Sequence, residues 1–175
     1  MLSLLPVQDE QQRLQAHALI WEYLQWINEG AQREYGLQFD IEAMVASDLS
    51  EDGKYSPPFG RFYLAQYDEE IAGVGCLKRL NENVGEIQRM YVRPEFRGKR
   101  IGWGIVERLI ADARLIGYQK LRLESLKFLT AAHTLYHSVG FQDIDPYAGN
   151  SMRDYQADEI VEAYRASAVF MEMDL

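Results

Sequence analysis

The chain contains a single cysteine, Cys76, among its 175 residues. One cysteine cannot form an internal disulfide, and the usual zinc sites, which combine several closely spaced cysteines and histidines, cannot be built from it. We therefore expect Cys76 to be a small buried apolar side chain within a strand, and no metal is predicted.

Long apolar runs are also missing. No segment reaches the roughly 18 consecutive apolar residues that a membrane-spanning helix needs. The N-terminal letters MLSLLPVQDEQQR contain neither a basic region nor a long apolar region, so they are unlike a signal peptide. We therefore expect no membrane partner and a cytoplasmic location.

Positive charge is scarce. The chain has 18 Lys and Arg residues against 27 Asp and Glu residues, so its formal net charge is -9. This balance argues against nonspecific nucleic-acid binding, which needs clustered cations, so no nucleic-acid partner is expected. Arg93, Arg97, Lys99 and Arg100 nevertheless lie close together. Such a basic cluster in an acidic protein either binds an anion or forms a solvated loop.

One domain is expected for residues 1–175, because this length suits a single domain and no repeat or linker is visible. Helical spacing predicts helices at 11–29, 41–49, 102–116, 129–138 and 155–166, with Gly30 ending the first. Strand-like runs occur at 2–7, 62–67, 71–80, 85–92, 120–124, 141–144 and 168–175. Short polar turns among them predict antiparallel hairpins within a mixed α/β sheet that has helices on its faces. The last, alternating strand could be an edge that pairs in a homodimer.

The segment 97–104, with the letters RGKRIGWG, follows a predicted strand and begins a predicted helix. The first N–H groups of a helix lack partners within it, and the helix dipole adds about half a positive charge there. Glycines let the backbone approach a ligand, while Arg97, Lys99 and Arg100 add charge, so a pyrophosphate fits this turn. Neither the GxxxxGK[ST] nor the GxGxxG pattern is present. The alternative is a tight turn with solvated cations.

Together with its flanks, this segment resembles the acetyl-CoA motif of the GNAT superfamily of N-acetyltransferases, Gln/Arg-x-x-Gly-x-Gly/Ala after a strand. Arg97 and Gly102 match the first and last positions. Arg100 replaces the middle glycine, which keeps the N–H donor but demands an ordinary backbone conformation. The letters AHTLYHSVGF at 132–141 are similar to the family's A-x-x-LY-x-x-x-GF helix and turn, although Leu129 stands where an asparagine is common.

The resemblance implies a mixed, mostly antiparallel central sheet of six to seven strands, splayed near Val92 at the coenzyme A site, with helices on both faces. It implies acetyl-CoA as the cosubstrate. Met90, Tyr91 and Val92 are implied to offer backbone groups to the pantetheine arm and to the thioester carbonyl. The implied pyrophosphate-binding residues are Arg97, Gly98, Lys99, Arg100, Ile101, Gly102, Trp103 and Gly104.

Two catalytic residues are also implied. Tyr136 matches the family tyrosine that protonates the departing thiolate, and its alternative is a core aromatic residue. Glu86 lies early on the central strand, where several members carry a basic carboxylate, and its alternatives are a solvent-facing residue or an ion pair with Arg89. His133 and His137 share the helix of Tyr136 and are expected to be surface or structural residues.

The acceptor site is expected near the N-terminal helices, the loop at 55–59 and the segment around residue 147. Its candidate lining residues, each with ordinary packing as the alternative, are Trp26, Tyr35, Tyr55, Phe59 and Tyr147. The preferred function is an N-acetyltransferase that uses acetyl-CoA and a primary amine of a small molecule or amino acid. A protein lysine or N-terminal acetyltransferase and a non-catalytic CoA-binding sensor module stay open as alternatives.

Overall fold

The computed structural model describes residues 1–49, 53–147 and 156–175. Within them the chain forms seven strands and five α-helices. The strands are β1 (Leu2–Pro6), β2 (Arg61–Tyr67), β3 (Glu70–Arg79), β4 (Val84–Val92), β5 (Lys120–Leu126), β6 (Gln142–Ile144) and β7 (Ala168–Asp174). The helices are α1 (Glu10–Tyr35), α2 (Ile41–Asp48), α3 (Ile101–Ile116), α4 (Thr130–Ser138) and α5 (Asp158–Ser167). Across these ranges, no helix is both long enough and apolar enough to cross a membrane.

The strands form one mixed sheet in the order β1-β2-β3-β4-β5-β7-β6. Neighbouring strands run antiparallel except for β4 and β5, which run parallel. The predicted hairpins β2–β3 and β3–β4 are therefore confirmed. The predicted α/β class with a mostly antiparallel sheet is confirmed as well.

The parallel strands β4 and β5 separate soon after they begin to pair. Their register pairs only Val84 with Lys120, Gly85 with Leu121 and Glu86 with Arg122, although β4 continues to Val92 and β5 to Leu126. We call the space between the diverging halves the wedge. The splay predicted near Val92 is present and begins earlier on β4, immediately after Glu86.

Each face of the sheet has its own hydrophobic core. On one face, α1, α2 and α5 pack over buried residues that include Leu24, Met44 and Phe170. On the opposite face, α3 and α4 pack over buried residues that include Leu109 and Leu123. The helices therefore cover both faces, as predicted, and the wedge opens between these two layers.

A bulge interrupts β4 beside the wedge. Gln88 faces Cys76 and Tyr91 faces Val74, so two residues of β4, Arg89 and Met90, lie opposite the single residue between Val74 and Cys76 on β3. Arg89 has a φ of 54°, a left-handed conformation that is costly for a residue with a Cβ. The extra residue turns the Arg89 side chain towards α2, where it binds Asp48.

The first helix is longer than predicted. It begins with a capping box in which the Asp9 carboxylate accepts a hydrogen bond from the Gln12 N–H, and it ends at Gly36, which has a φ of 67°. The prediction that Gly30 ends this helix is wrong, because Gly30 lies inside it. A Cβ at Gly30 would come within 2.4 Å of the Phe128 ring, so the missing side chain allows close packing.

Replacing Gly30 by alanine is expected to destabilise the protein. At an open helix position this change would add about 0.5–1 kcal/mol of stability. Here the added methyl group overlaps the Phe128 ring, and overpacking costs typically about 1–3 kcal/mol. In a Phe128→Ala background the same substitution should become stabilising, because the overlap is gone. Urea unfolding of the four proteins measures both effects, and a Gly30→Ala effect of equal sign in both backgrounds would contradict this packing.

The C-terminal strand lies inside the sheet. β7 pairs with β5 on one side and with β6 on the other, so the prediction that it forms an edge available for pairing in a homodimer is wrong. Within the described chain the sheet ends at β1 and β6. The alternation of apolar and acidic residues in β7 instead reflects ion pairs, since Glu172 binds Lys120 and Arg122 of β5.

Candidate active site

The open side of β4 faces the wedge. The Arg93 N–H bonds the Ala72 carbonyl of β3 at 2.9 Å, and backbone groups of successive strand residues point in opposite directions. Val92 therefore directs its N–H and C=O away from β3 and towards the separated β5. There the Val92 carbonyl accepts a hydrogen bond of 3.0 Å from Arg97 Nε.

The predicted anion-binding turn lies at the end of this strand. After β4 a 3-10 turn, Pro94–Phe96, leads into the exposed segment 97–100, and α3 begins at Ile101. The Gly104 N–H bonds the Arg100 carbonyl at 3.0 Å, so the N–H groups of 101–103 precede the helical hydrogen-bond ladder. Gly98 has a φ of 79° and no neighbouring atom where its Cβ would lie. This turn can therefore approach an anion closely.

The expectation of an ordinary backbone at Arg100 is wrong. Arg100 has a φ of 60° and a ψ of 17°, in the left-handed region that glycine adopts without cost. The turn thus keeps the shape of a glycine turn without the glycine, and the Arg100 guanidinium lies 4.6 Å from the centre of the Trp103 ring. The backbone N–H groups keep their orientation, and Arg100 adds a charge beside them.

The other residues of the turn divide between exposed cations and buried packing. Lys99 lies over the rings of Tyr67 and Phe96, and the Arg97 guanidinium lies 5.0 Å from the centre of the Trp26 ring on α1. Ile101 is buried in the core beneath α3. Gly104 allows Leu2 of β1 to approach, because a Cβ there would be 2.6 Å from a Leu2 methyl group. This contact gives Gly104 a packing role, and its place at the phosphate stays a prediction from the sequence.

On β4, Tyr91 is buried and its hydroxyl donates to Glu22 of α1 at 3.0 Å. Burial, as the larger cause, and this hydrogen bond, as the next, raise the pKa of Tyr91 to about 12. Arg93 also binds Glu22, at 2.9 Å. These contacts attach α1 to the end of β4. Met90 lies in the bulge, near the position of Gly75 on β3.

Tyr136 lies on α4 and is 6% exposed. Its ring packs edge-on against Phe141 at 6.0 Å. Among the described residues its hydroxyl has no hydrogen-bond partner, which is unusual for a buried tyrosine. Burial raises its pKa, and so does the nearby hydroxyl of Tyr23 on α1. The Tyr136 hydroxyl therefore stays protonated at neutral pH and remains able to donate.

A pocket lies at the wedge on the α1 side. Its polar wall comes from β4 and β5, and its apolar wall comes from α1, α2 and the residues that follow them. The lining residues are Tyr23, Leu24, Ile27, Phe39, Met44, Glu86, Ile87, Gln88, Arg89, Glu124, Ser125, Leu126, Leu129 and Tyr164. The two acidic side chains, Glu86 and Glu124, lie on the same face of the neighbouring strands. This arrangement suits an amine carried on an apolar body.

Glu86 has more hydrogen-bond and charge partners than Glu124. It is 1% exposed, and its Oε1 accepts a short hydrogen bond from Gln88 and lies 3.6 Å from Lys78 Nζ. Its Oε2 accepts a hydrogen bond of 3.2 Å from the Tyr147 hydroxyl. The ion pair with Arg89, considered from the sequence, does not form, because Arg89 binds Asp48 instead.

Glu124 differs from Glu86 in its surroundings. Its Oε1 is buried without a hydrogen-bond partner in the described chain. Burial and the neighbouring Glu86 raise the pKa of Glu124 to about 8, although the nearby hydroxyls of Tyr164 and Tyr147 and the charge of Lys78 oppose the shift. The sequence prediction missed Glu124, since the letters KLRLESL read as an ordinary alternating strand.

The bulge is held by a buried ion pair. Asp48, at the end of α2, has a fully buried side chain and binds the guanidinium of Arg89 and the ammonium of Lys54, the latter at 2.7 Å. Burial raises the pKa of Asp48, but the two cations together lower it by a larger amount, so the net shift is downward. The Tyr55 hydroxyl hydrogen-bonds both Asp48 and Gln88, at 3.2 and 2.7 Å.

The five aromatic residues predicted for the acceptor site have different places. Tyr147 contacts Glu86, and Tyr55 contacts Gln88, so both lie beside the pocket. Trp26 and Tyr35 pack against Phe128, which follows β5. Phe59 lies elsewhere, because its carbonyl accepts a hydrogen bond from Tyr118 at the end of α3 and Arg79 covers its ring.

Neither histidine of α4 reaches the pocket lining. His137 is exposed and pairs with Asp143 at 2.9 Å. His133 is half-buried, and burial lowers its pKa. Both agree with the expected surface or structural character.

Comparisons with known proteins agree with this architecture. The model of the family described as "Acetyltransferase (GNAT) family" matches residues 14–141. An uncharacterised N-acetyltransferase of Schizosaccharomyces pombe is 32% identical over 135 residues, which cover 75% of this chain and 77% of the yeast protein. N-acetylaspartate synthetase of Mus musculus is 31% identical over 105 residues, which cover 58% of this chain and 35% of the mouse protein.

A solved structure has the same fold. The PaiA N-acetyltransferase of Thermoplasma acidophilum, determined in complex with coenzyme A, superimposes with a TM-score of 0.71. The match covers 100% of this chain and 99% of that protein at 18% identity. At this identity the likeness concerns the fold.

Proposed function

Because the chain belongs to the GNAT family of acetyltransferases, it is an acyltransferase, and we propose that it transfers an acetyl group from acetyl-CoA to a primary amine of a small molecule or amino acid. The amine attacks directly in a ternary complex. The observation that carries this proposal is the wedge between β4 and β5. The glycine-containing turn before α3 lies at its mouth, and the neighbouring carboxylates of Glu86 and Glu124 line the pocket at its apex.

Coenzyme A fits the residues that border the wedge. The free N–H groups at the start of α3, the exposed cations 97, 99 and 100 and the open space at Gly98 suit a pyrophosphate. The backbone of Val92 and its neighbours points to the open side of β4 and can pair with the amides of the pantetheine arm. Arg97 donates a hydrogen bond to the Val92 carbonyl, and this bond would have to break before the pantetheine arm can pair with that carbonyl.

When bound, acetyl-CoA supplies the acetyl group as an activated thioester. Val92 directs a backbone donor towards the wedge, where it can polarise the acetyl carbonyl, and Met90 is the second candidate for this role. Tyr136 keeps a neutral hydroxyl at the α4 side and donates its proton to the departing sulfur. The carboxylate pair on the α1 side receives the substrate ammonium, which has an ordinary pKa near 10 and must lose a proton before it can attack.

A small acceptor is supported by the burial of the carboxylates. Glu86 is almost inaccessible, and side chains of α1, α2 and α5 line the pocket above it. An amine must therefore enter past these side chains to reach the carboxylates. The name of the mouse relative, N-acetylaspartate synthetase, also points to an acetylated small molecule.

The purified protein is expected to release free thiol from acetyl-CoA in the presence of at least one small primary amine. We would test alkylamines, arylalkylamines and amino acids, with product masses to confirm N-acetylation. Titration calorimetry with coenzyme A measures donor binding separately. Coenzyme A binding without turnover of any amine would overturn the proposed acceptor class, whereas no binding would overturn the proposed donor. Acetylation found only on lysines or N-termini of added proteins would replace the small acceptor by a protein.

A further inference from the structure

The position of the two pocket carboxylates raises the question of which one accepts the proton of the substrate. Glu86 is the last residue of β4 that pairs with β5, and it lies opposite Arg122. Glu124 lies two residues beyond Arg122, where β5 has already left β4. Residues two apart on a strand share a face, so both carboxylates border the same pocket at the apex of the wedge.

Glu86 has little capacity left for a substrate. Gln88, Lys78 and Tyr147 already supply it with an amide hydrogen, a positive charge and a hydroxyl hydrogen. Both of its oxygens are therefore occupied by groups of the protein, so it offers no unpaired oxygen to a substrate amine.

Glu124 has the opposite character. One of its oxygens is buried and receives no hydrogen bond from the described residues. A buried polar atom without a partner is costly, and it needs a ligand or a proton to satisfy it. The amine nitrogen of a bound substrate, with hydrogens to donate, is such a partner.

We infer that Glu124 accepts the proton from the substrate ammonium, and that Glu86 is a positioning residue whose fixed negative charge keeps Glu124 basic. This inference rests on the proposed function. The two neighbouring carboxylates have different roles because their surroundings differ, and the base lies on β5 rather than at the position expected on the central strand.

The groups around Glu124 support this division. Burial acts first and Glu86 of β4 second, and both raise the pKa of Glu124 to about 8. Tyr164 of α5, Lys78 of β3 and Tyr147, which follows β6, act in the opposite direction. The Arg122 guanidinium lies over the Tyr147 ring at 4.6 Å, and Arg89 at the pocket edge is paired with Asp48. A base of this strength suits proton transfer near neutral pH.

The proton balance is complete without a further reactant. Glu124 takes one proton from the ammonium, which leaves a neutral amine. The nitrogen forms the amide bond while the carbon–sulfur bond breaks, and the nitrogen loses a second proton. Tyr136 gives its proton to the sulfur and regains the second nitrogen proton through water. Glu124 then releases the first proton to solvent.

The kinetic test compares Glu124→Gln with Glu86→Gln over pH 6–10, with one acceptor amine for all proteins. In the parent protein kcat/KM should have a rising limb that levels off near pH 8. Glu124→Gln should lower kcat/KM roughly 10²-fold at pH 7 and remove this limb, and the loss should shrink as the pH approaches 10, where a growing share of the amine is already neutral. Glu86→Gln should keep the limb and move it to lower pH, since the like charge is gone.

A titration without turnover separates the inference from the proposed function. Carboxyl ¹³C-labelled glutamate in the protein without substrates should show one resonance that titrates near pH 8, absent from Glu124→Gln and shifted to lower pH in Glu86→Gln. If Glu86→Gln does not fold, Glu86→Gln combined with Lys78→Met removes the ion pair as a unit and should give the same downward shift. Asp112→Asn, which alters a buried carboxylate on the other face of the sheet, should leave the titration and the limb unchanged.

The outcomes are distinct. A limb and a resonance near pH 8 that disappear with Glu86→Gln and persist in Glu124→Gln would overturn the assignment and make Glu86 the base. Glutamate resonances that all titrate near pH 4–5 would also overturn it, even if amines are acetylated. Absent turnover with the expected titration would instead count against the proposed function alone.

Discussion

Replacing Tyr136 by phenylalanine is expected to lower kcat by about 10²–10⁴-fold while the Kd for coenzyme A stays the same. The phenol supplies a proton to the sulfur only as the carbon–sulfur bond breaks, so its loss affects the transition state more than the bound state. Burial raises the pKa of Tyr136, so the parent protein should show no loss of activity from its ionisation below the ordinary tyrosine range. Steady-state kinetics and calorimetry with coenzyme A measure the two quantities.

Tyr136→Phe removes the hydroxyl without breaking a hydrogen bond to the described residues. Since the Tyr136 hydroxyl has no hydrogen-bond partner among the described residues, removing it leaves no protein group unsatisfied. Tyr136→Phe should therefore keep the thermal stability of the parent. Tyr118→Phe is the matched control: it removes a buried hydroxyl that donates to the Phe59 carbonyl at 2.7 Å, so it should lose about 1 kcal/mol of stability and keep kcat. A Tyr136→Phe kcat within threefold of the parent value would refute the acid role.

The sequence predicted the parts of the site that local pattern determines. The turn at 97–104 combines glycines, cations and the start of an apolar-periodic helix, and each of these is visible in consecutive letters. The hairpins β2–β3 and β3–β4 also follow from short polar connections. Only the resemblance to a family gave the splay of β4 and β5, because periodicity does not say where a strand leaves its neighbour.

The rest depends on contacts between distant segments. Gly30 looked like a helix end, since glycine is a poor helix former, but Phe128 requires it inside α1. Glu124 lies in an alternating strand, and the local pattern does not show that Tyr164 of α5 and Tyr147 after β6 come close to it. Likewise, nothing near Asp48 in sequence indicates that its partner is Arg89, forty-one residues away.

Replacing Asp48 by asparagine is expected to cost about 3–5 kcal/mol of unfolding free energy, the largest stability effect of any substitution considered for this protein. The Asp48 side chain is 0% exposed and the Arg89 side chain is 10% exposed. Asparagine keeps the shape of the side chain but removes its charge, so the largely buried Arg89 guanidinium loses the carboxylate that binds it. Lys54 is 23% exposed and can turn towards water, so Arg89 accounts for most of the loss. Urea unfolding at pH 7 measures the change.

The pH dependence follows from the direction of the pKa shift. The pKa of Asp48 is lowered in the folded protein, so its contribution to stability is complete above its unfolded pKa, about 3.9. It disappears as the pH falls through the lower, folded value. The difference in unfolding free energy between the parent and Asp48→Asn should therefore be constant from pH 5 to 8 and narrow below about pH 4. A difference that stays constant down to pH 2 would show that the charge of Asp48 does not cause the loss.

A double substitution separates stability from positioning. Asp48→Leu with Arg89→Met removes the buried ion pair as a unit, and such replacements are often neutral or stabilising, so most of the unfolding free energy should return. Activity should stay low, because the ion pair holds the bulge of β4 in its left-handed conformation beside the pocket. Asp112→Asn is the control: Asp112 is a buried carboxylate bound by Tyr63 and Arg108 away from the wedge, so its loss should lower stability and leave kcat unchanged. If the double variant regained both stability and kcat, the ion pair would serve the fold alone and the bulge would need no help from α2.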